Sequence, residues 1–261
     1  MEHVLGGQLL HRSNKGVTPT ELGTLVFRHA QAITEAYDKM LFEAKELESS
    51  GQVLTILATP SIHSYALPCT LYQIKKKYPT YSLQLQAVSS DAIEDMLLKG
   101  RGDIGFIAGR PKSKELIERQ VFSDFAYLVA GEGLSVPPKI SRAELCRYPL
   151  LMLTEAQKTQ QLLHRYFVEN GIALERLQVL YQLDSIESIK VSAVQGYGLA
   201  FLPYMAIKKE LYHKQLRIVE LDCGRLEFDY YSVKRAASSA DERVRAEITR
   251  YIESSISETI C

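Results

Sequence analysis

Net charge is missing from this chain: Lys and Arg together number 31, Asp and Glu together 31, in 261 residues. No global basic field advertises nucleic acid, although a neutral total leaves room for a local basic patch. Cysteine is sparse. Cys69, Cys146, Cys223 and Cys261 lie far apart with no CxxC pair, which excludes a zinc knuckle and a secreted disulfide framework and predicts reduced thiols. His3, His11, His29, His63, His164 and His213 show no metal-ligand spacing, and neither GxSxG nor HExxH occurs. No metal, cofactor or catalytic residue is expected, since a Ser, a His and an Asp exist somewhere in almost any chain. No apolar run approaches the ~20 residues of a membrane span, and Met1 to Gly16 lacks the apolar core of a signal peptide. The reading is a cytoplasmic protein with no membrane partner.

The stretch from Gln52 to Pro79 organises what is present. Val53 to Ala58 has strand composition, and Thr59-Pro60-Ser61 breaks it and opens a helix. Free N–H groups of the first turn, the positive end of the helix dipole and two hydroxyls would seat a small anion there. Alternatively, Ser61 merely caps its own helix.

Residues 1–19 read as a Gly-rich opening followed by a basic loop, in which Arg12 and Lys15 can touch phosphates. Thr18-Pro19-Thr20-Glu21 is a capping box that starts a helix over 20–50. Leu22, Val26, His29, Ile33, Tyr37, Met40, Ala44 and Leu47 recur every three or four residues on it. That stripe predicts a coiled-coil arm that pairs with a second copy, the alternative being a surface helix packed on its own domain.

Residues 51–261 alternate strands and helices. Ser82 to Val88 and Asp103 to Ala108 are strands around a helix opened by Asp91-Ala92-Ile93-Glu94. Strand-helix-strand order predicts an α/β fold with a parallel sheet and ligands outside the carboxyl ends of the strands. Strands at 119–122 and 125–130 lead into a second α/β unit with Ser141-Arg142-Ala143-Glu144, Thr154-Glu155-Ala156-Gln157 and Asp184-Ser185-Ile186-Glu187 as helix starts. Gly196-Tyr197-Gly198 follows a helix and precedes a strand, the reverse of a dinucleotide loop, so it is a helix stop. The chain then returns, giving lobe I over 51–109 and 212–261, lobe II over 110–211, and a cleft between them.

With the arm, the cleft and this order in hand, the sequence resembles a LysR-type transcriptional regulator over nearly its whole length. Leu5-Gly6, Leu9-Leu10, Arg12, Lys15 and Thr20-Glu21-Leu22-Gly23 are similar to that family's recognition-helix end, wing and linker-helix start. Gly51 to Ile56, Leu67-Pro68, Tyr78-Pro79, Gly102-Asp103-Ile104, Tyr148-Pro149-Leu150 and Gly196 to Pro203 resemble its effector-domain landmarks. The resemblance implies a two-lobed, periplasmic-binding-protein-like effector domain preceded by a long linker helix and the remnant of a winged helix-turn-helix. It implies a dimer or tetramer, promoter DNA as partner of the full-length form, and an effector site at Thr59, Ser61, Ile62, Ser89, Thr154 and Phe201. Ser89 and Thr154 also read as helix caps, and Phe201 as core. Because the likeness starts partway through the helix-turn-helix, this truncated chain is expected to bind DNA weakly and without sequence preference. Hydroxyls opposite an aromatic suit a small polar or anionic metabolite, with Arg110 the one cation that would favour more charge. The rival reading is a solute-binding or metabolite-sensing protein without DNA binding.

Overall fold

The computed structural model describes residues 1–13, 16–48, 53–154, 158–236 and 240–258. The chain forms two compact units, Met1–Gln52 and Val53–Cys261.

In the first unit a short helix, α1 (Glu2–Leu5), ends at Gly6, whose φ of 67° is a left-handed cap that glycine adopts without a Cβ penalty. Strands β1 (Leu10–Ser13) and β2 (Gly16–Pro19) form an antiparallel hairpin with Arg12 opposite Val17. Lys15 lies outside the described residues. Helix α2 (Glu21–Glu48) starts later than the capping-box pattern suggested. Pro19 belongs to β2, and the Thr20 hydroxyl oxygen accepts the Gly23 N–H at 2.9 Å, so Thr20 is the cap.

In the second unit β3 (Val53–Ala58), α3 (Pro60–Tyr65), α4 (Leu67–Lys77), β4 (Ser82–Ala87), α5 (Ser90–Leu98) and β5 (Ile104–Ala108) follow in order. Strands β3, β4 and β5 are parallel. All six residues of β3 are buried, as continuous apolar strands covered on both faces must be. The chain then enters β6 (Ile117–Gly131), one strand of 15 residues where two had been expected. Its middle, Ser123-Asp124, is polar and hides the continuity from a reading based on apolar runs.

After β7 (Lys139–Ile140) come β8 (Pro149–Leu153), α6 (Lys158–Glu169), β9 (Gln178–Leu183), α7 (Ile186–Val194), β10 (Leu199–Pro203) and α8 (Tyr204–Tyr212). The box at Ser141 and Glu144 forms reciprocally, with Ser141 N–H donating to the carboxylate at 2.8 Å, but it opens only a single 3-10 turn, Glu144–Arg147. The box proposed at Thr154 extends beyond the described residues. Short β11 (Leu216–Ile218) and β12 (Glu220–Leu221) precede β13 (Leu226–Lys234) and α9 (Ala240–Ser255).

The main sheet runs β4-β3-β5-β13-β6-β10-β8-β9, with β11 also on β6. The antiparallel β6–β13 pair is the crossing between the lobes. Strand β11 pairs with Gly131 to Val129, and β12 pairs with β7. Residues 216–221 therefore pack with the second lobe, and the return to the first falls at β13 rather than at 212.

In the first lobe Leu54, Ile56 and Phe106 bury against Ile248 and Ile252 of α9. In the second, Leu199 packs toward Phe167 of α6, while Ala200 and Leu202 pack toward Ile189 of α7 and Ile207 of α8. That alternation is the two-residue period of a strand covered on both faces, each large side chain contributing about 1.5–3 kcal/mol of burial. Cys69 is disulfide-bonded, against the expectation of four reduced thiols, whereas Cys146 and Cys223 are free. Among the described residues no helix is long and apolar enough to cross a membrane, and no group of three or more His, Cys, Asp or Glu could hold a metal.

Candidate functional site

The carboxyl ends of β3, β4 and β5 face α6 and the β9–α7 turn across a cleft. Thr59, Pro60, Ser61, Ser89, Ser90, Asp91 and Ala108 line it from the first lobe; Leu153, Lys158, Thr159, Gln161, Asp184 and Ile186 line it from the second. The enclosed volume is about 60 Å³. Ligand pockets generally run to roughly 300–1,000 Å³, so the cleft is narrow as it stands.

Local sequence places the first wall. Pro60 fixes the first turn of α3 behind Thr59, which leaves the N–H groups of Ser61 and Ile62 without intrahelical acceptors. Ser89 is both wall and cap: its hydroxyl oxygen accepts the Ala92 N–H at 3.4 Å, so α5 begins two residues before the Asp91 box. The Thr59 and Ser90 hydroxyl oxygens are buried with no hydrogen-bond partner. Such orphans are uncommon in native structures, and these two hydroxyls face the cleft free to accept or donate.

Of the residues singled out from the sequence, Thr59, Ser61 and Ser89 come together at this wall. Ile62 does not line it; it is fully buried in the first-lobe core. Thr154 follows the lining Leu153, and its N–H donates to Leu183 O at 2.9 Å. Phe201 lies elsewhere, with its ring 5.3 Å from Phe167 and 6.2 Å from Tyr166, beside a separate groove at β6 and β11. Strand alternation decides this, because Phe201 shares the α6 face with Leu199. Arg110 donates to the Tyr231 hydroxyl at 3.3 Å and lies 3.5 Å from Glu118, so it does not serve the cleft.

Among the described residues the cation lining the cleft is Lys158, the first residue of α6, which sequence reasoning missed. Among the described residues it makes no ion pair. Its position after β8 repeats the strand-to-helix pattern at Thr59, which was the available signal. Among the described residues Asp91 and Asp184 are the carboxylates on the walls, and Asp91 is matched by Lys112 at 2.8 Å.

Beside the cleft the lobes are tied. The Tyr65 hydroxyl donates to Glu187, and Lys190 reaches Glu187 at 3.0 Å, Glu210 at 3.1 Å and Ala206 O at 3.1 Å. Burial, then the bond to Glu187, holds the Tyr65 phenol far above its ordinary pKa. Partial burial pushes the Glu187 carboxyl up, but the Tyr65 hydroxyl and Lys190 outweigh it and hold the group below the usual range.

At the crossing, Phe122 and Tyr230 stack at 4.7 Å. The Tyr230 hydroxyl has no hydrogen bond of good geometry. Burial and the nearby Asp124 charge raise its pKa far above normal, which the Ser61 hydroxyl partly offsets. Asp124 accepts the N–H of Met205 at 3.0 Å and of Phe125 at 2.8 Å, and so caps α8 from β6. Burial raises its carboxyl, with the two N–H bonds opposing.

Two lobes, paired crossing strands and a cleft between strand ends and helix starts define a periplasmic-binding-protein-like effector domain. The LysR substrate binding domain family matches residues 48–253, and the chain belongs to it. This is a LysR-type transcriptional regulator with an effector-binding domain. A probable RuBisCO transcriptional regulator of Cyanidioschyzon merolae is 28% identical, over 89% of this chain and 79% of that protein. The regulatory domain of CcmR from Synechocystis, in complex with 2-PG, has a TM-score of 0.67 at 17% identity, covering 80% of this chain and 97% of that one. An H2O2-bound OxyR mutant from Corynebacterium glutamicum also has a TM-score of 0.67, at 19% identity, covering 99% of this chain and 82% of that one. Regulators of this family bind small-molecule effectors and act as oligomers.

Proposed function

We propose that residues 51–261 sense a small anionic metabolite in the inter-lobe cleft, that 20–50 form a linker helix through which two copies pair, and that 1–19 carry the wing. In this reading the protein is cytoplasmic and has no catalytic activity. It touches phosphates through Arg12 and Lys15, and it couples lobe closure to transcription.

The observation that carries the effector class is Lys158, unpaired among the described residues, on the same cleft as two buried hydroxyls that have no partner. One ammonium, hydroxyls at Thr59, Ser61, Ser89 and Ser90, and free N–H groups at the start of α3 suit a carboxylate or a phosphorylated acid. The small closed volume favours a compact ligand held from both lobes.

The test is a thermal-shift and calorimetric screen of 2-PG, small carboxylates and amino acids, repeated on Ser61→Asp and Lys158→Gln. A hit should raise the melting temperature in proportion to RT ln(1 + [L]/Kd) and be lost in both variants. Ser61→Asp places a fixed carboxylate in the anion seat while keeping a good helix former of the first turn. A hit that both variants bind as well as the parent overturns the assignment.

A further inference from the structure

At the other end of the first-lobe sheet a second pocket gathers cations. It encloses about 240 Å³ between the start of β5, the end of β13 and one face of α9. Lys234, Arg235, Arg245 and Arg250 converge on it, with Asp103 the one lining carboxylate among the described residues and Thr249 beside them. Two of the four charges are matched: Arg245 meets Asp103 at 2.9 Å, and Lys234 meets Glu253 at 2.8 Å. Asp103 is itself held in place, since its other oxygen accepts the Thr55 N–H at 2.7 Å.

The other two cations are not matched. Arg235 and Arg250 have no carboxylate partner among the described residues; Arg250 donates only to Ala246 O, at 3.2 Å. The Arg235 guanidinium lies beside Gly100, 3.5 Å from where a Cβ there would sit. Gly100 has a φ of 75°, a left-handed turn after α5 that glycine adopts readily. Gathering like charges is unfavourable unless an anion completes the group.

We propose that this pocket binds a phosphate monoester, at a site separate from the effector cleft. Two unneutralised guanidiniums match the charge of a dianion, and their planar forks match phosphate oxygens better than lysines would. The volume lies just under the usual range for ligand pockets, which begins at roughly 300 Å³, so the ligand is compact. The concave form favours a small phosphorylated molecule over an extended nucleic-acid backbone. The pocket opens at Gly102-Asp103, before β5, whereas the cleft opens at Ala108, its far end. At roughly 3.3 Å per residue the sites lie some 17 Å apart. Strand β13 joins them, with Lys234 at the pocket and Tyr230 opposite Ala108.

The experiment titrates inorganic phosphate and glycerol phosphate into the full chain carrying Ser61→Asp, which takes the cleft out of play. Calorimetry at constant chloride should show one site of millimolar affinity or better. Arg235→Gln and Arg250→Gln should each weaken it by about tenfold or more, and Arg235→Lys by less, because a point charge replaces the fork. Both arginines are exposed, and circular dichroism of each variant checks that the fold is intact. No heat at millimolar phosphate, unchanged affinity in Arg235→Gln, or arginine-dependent binding of duplex DNA alone would each overturn the proposal. Failure of the cleft reading shows separately, in the Ser61→Asp screen of carboxylates.

Discussion

Tyr65, the last residue of α3 in the first lobe, donates its hydroxyl hydrogen to Glu187, in the first turn of α7 in the second. The pair stands next to the cleft wall, since α3 begins behind Thr59 and Ile186 lines the cleft. Lys190, mostly buried beneath the pair, connects it to Glu210, and its ammonium lies 5.2 Å from the centre of the Tyr65 ring. The tie favours the closed arrangement of the lobes, and any ligand that closes the cleft gains from it.

Tyr65→Phe should therefore weaken effector binding more than it weakens the fold. The variant keeps the ring and loses one hydrogen bond to a charged acceptor, worth about 1.5–3 kcal/mol net where solvent is excluded and less where Glu187 is half exposed. A three- to tenfold rise in Kd is expected, at roughly 1.4 kcal/mol per decade. Calorimetry with a ligand from the screen checks it, and unchanged affinity would remove the tie from the account. The sign with pH follows from Glu187. Its folded pKa lies below the unfolded value near ~4.3, so its contribution is complete above that pH and is lost as pH falls through the folded value. The difference between parent and Tyr65→Phe should vanish in acid.

Asp124 gives the opposite slope. Its carboxyl is raised by burial, so the folded state holds its proton more tightly than the unfolded chain does. Its contribution is most favourable below the unfolded pKa near ~3.9 and declines as pH rises through the raised folded value. Asp124→Asn should lack that decline, which urea midpoints measured across weakly acidic pH will show. Asp124→Ala should cost about 2–3 kcal/mol at neutral pH, because the N–H groups of Met205 and Phe125 lose their acceptor.

The legible part of the candidate cleft is the part built from neighbours in sequence. Thr59, Ser61 and Ser89 follow strands directly, so a strand-to-hydroxyl pattern finds them without knowledge of the tertiary fold. Lys158 joins them only because the second lobe folds over the first, a relation that spacing does not encode. Ser90 was hidden by the box at Asp91, whose Glu94 in fact accepts the N–H groups of Lys112 and Ser113 at 3.0 and 2.9 Å and so holds the crossing segment. Phe201 was misplaced because an all-apolar strand carries no mark of which face meets the cleft. The order of strands and helices is what suggested two alternating lobes. The length of β6 and the late return at β13 depend on pairing across the crossing, which local composition does not reveal.

Gly131 closes β6 where the chain passes the end of α7. A Cβ there would stand 2.3 Å from Ala193 O and 2.5 Å from Val194 O, both backbone atoms. Gly131→Ala should destabilise the domain by about 1–3 kcal/mol or more, the usual range for overpacking a rigid contact. Gly171→Ala is the control for a glycine substitution, since no atom lies within 4 Å, although its φ of 68° still carries a backbone cost. Denaturant midpoints of the two variants should separate the steric term from the conformational one.

Helix α2 spans 28 residues, about 42 Å at 1.5 Å per residue. A globular chain normally covers an apolar stripe of that length, yet Ile33 is 70% exposed, Tyr37 56% and Met40 54%. Their spacing of four and three places them on one face, the geometry of a seam between two helices. A second copy is the simplest cover, because a two-fold pair buries the same stripe on both chains. Ile33→Asp with Tyr37→Asp sets like charges in that seam and should convert a dimer to a monomer at micromolar concentration, with the effector domain's thermal transition unchanged. Sedimentation equilibrium of parent and variant decides the matter. A parent that is already monomeric would refute the pairing, and a variant that stays dimeric would place the contact elsewhere.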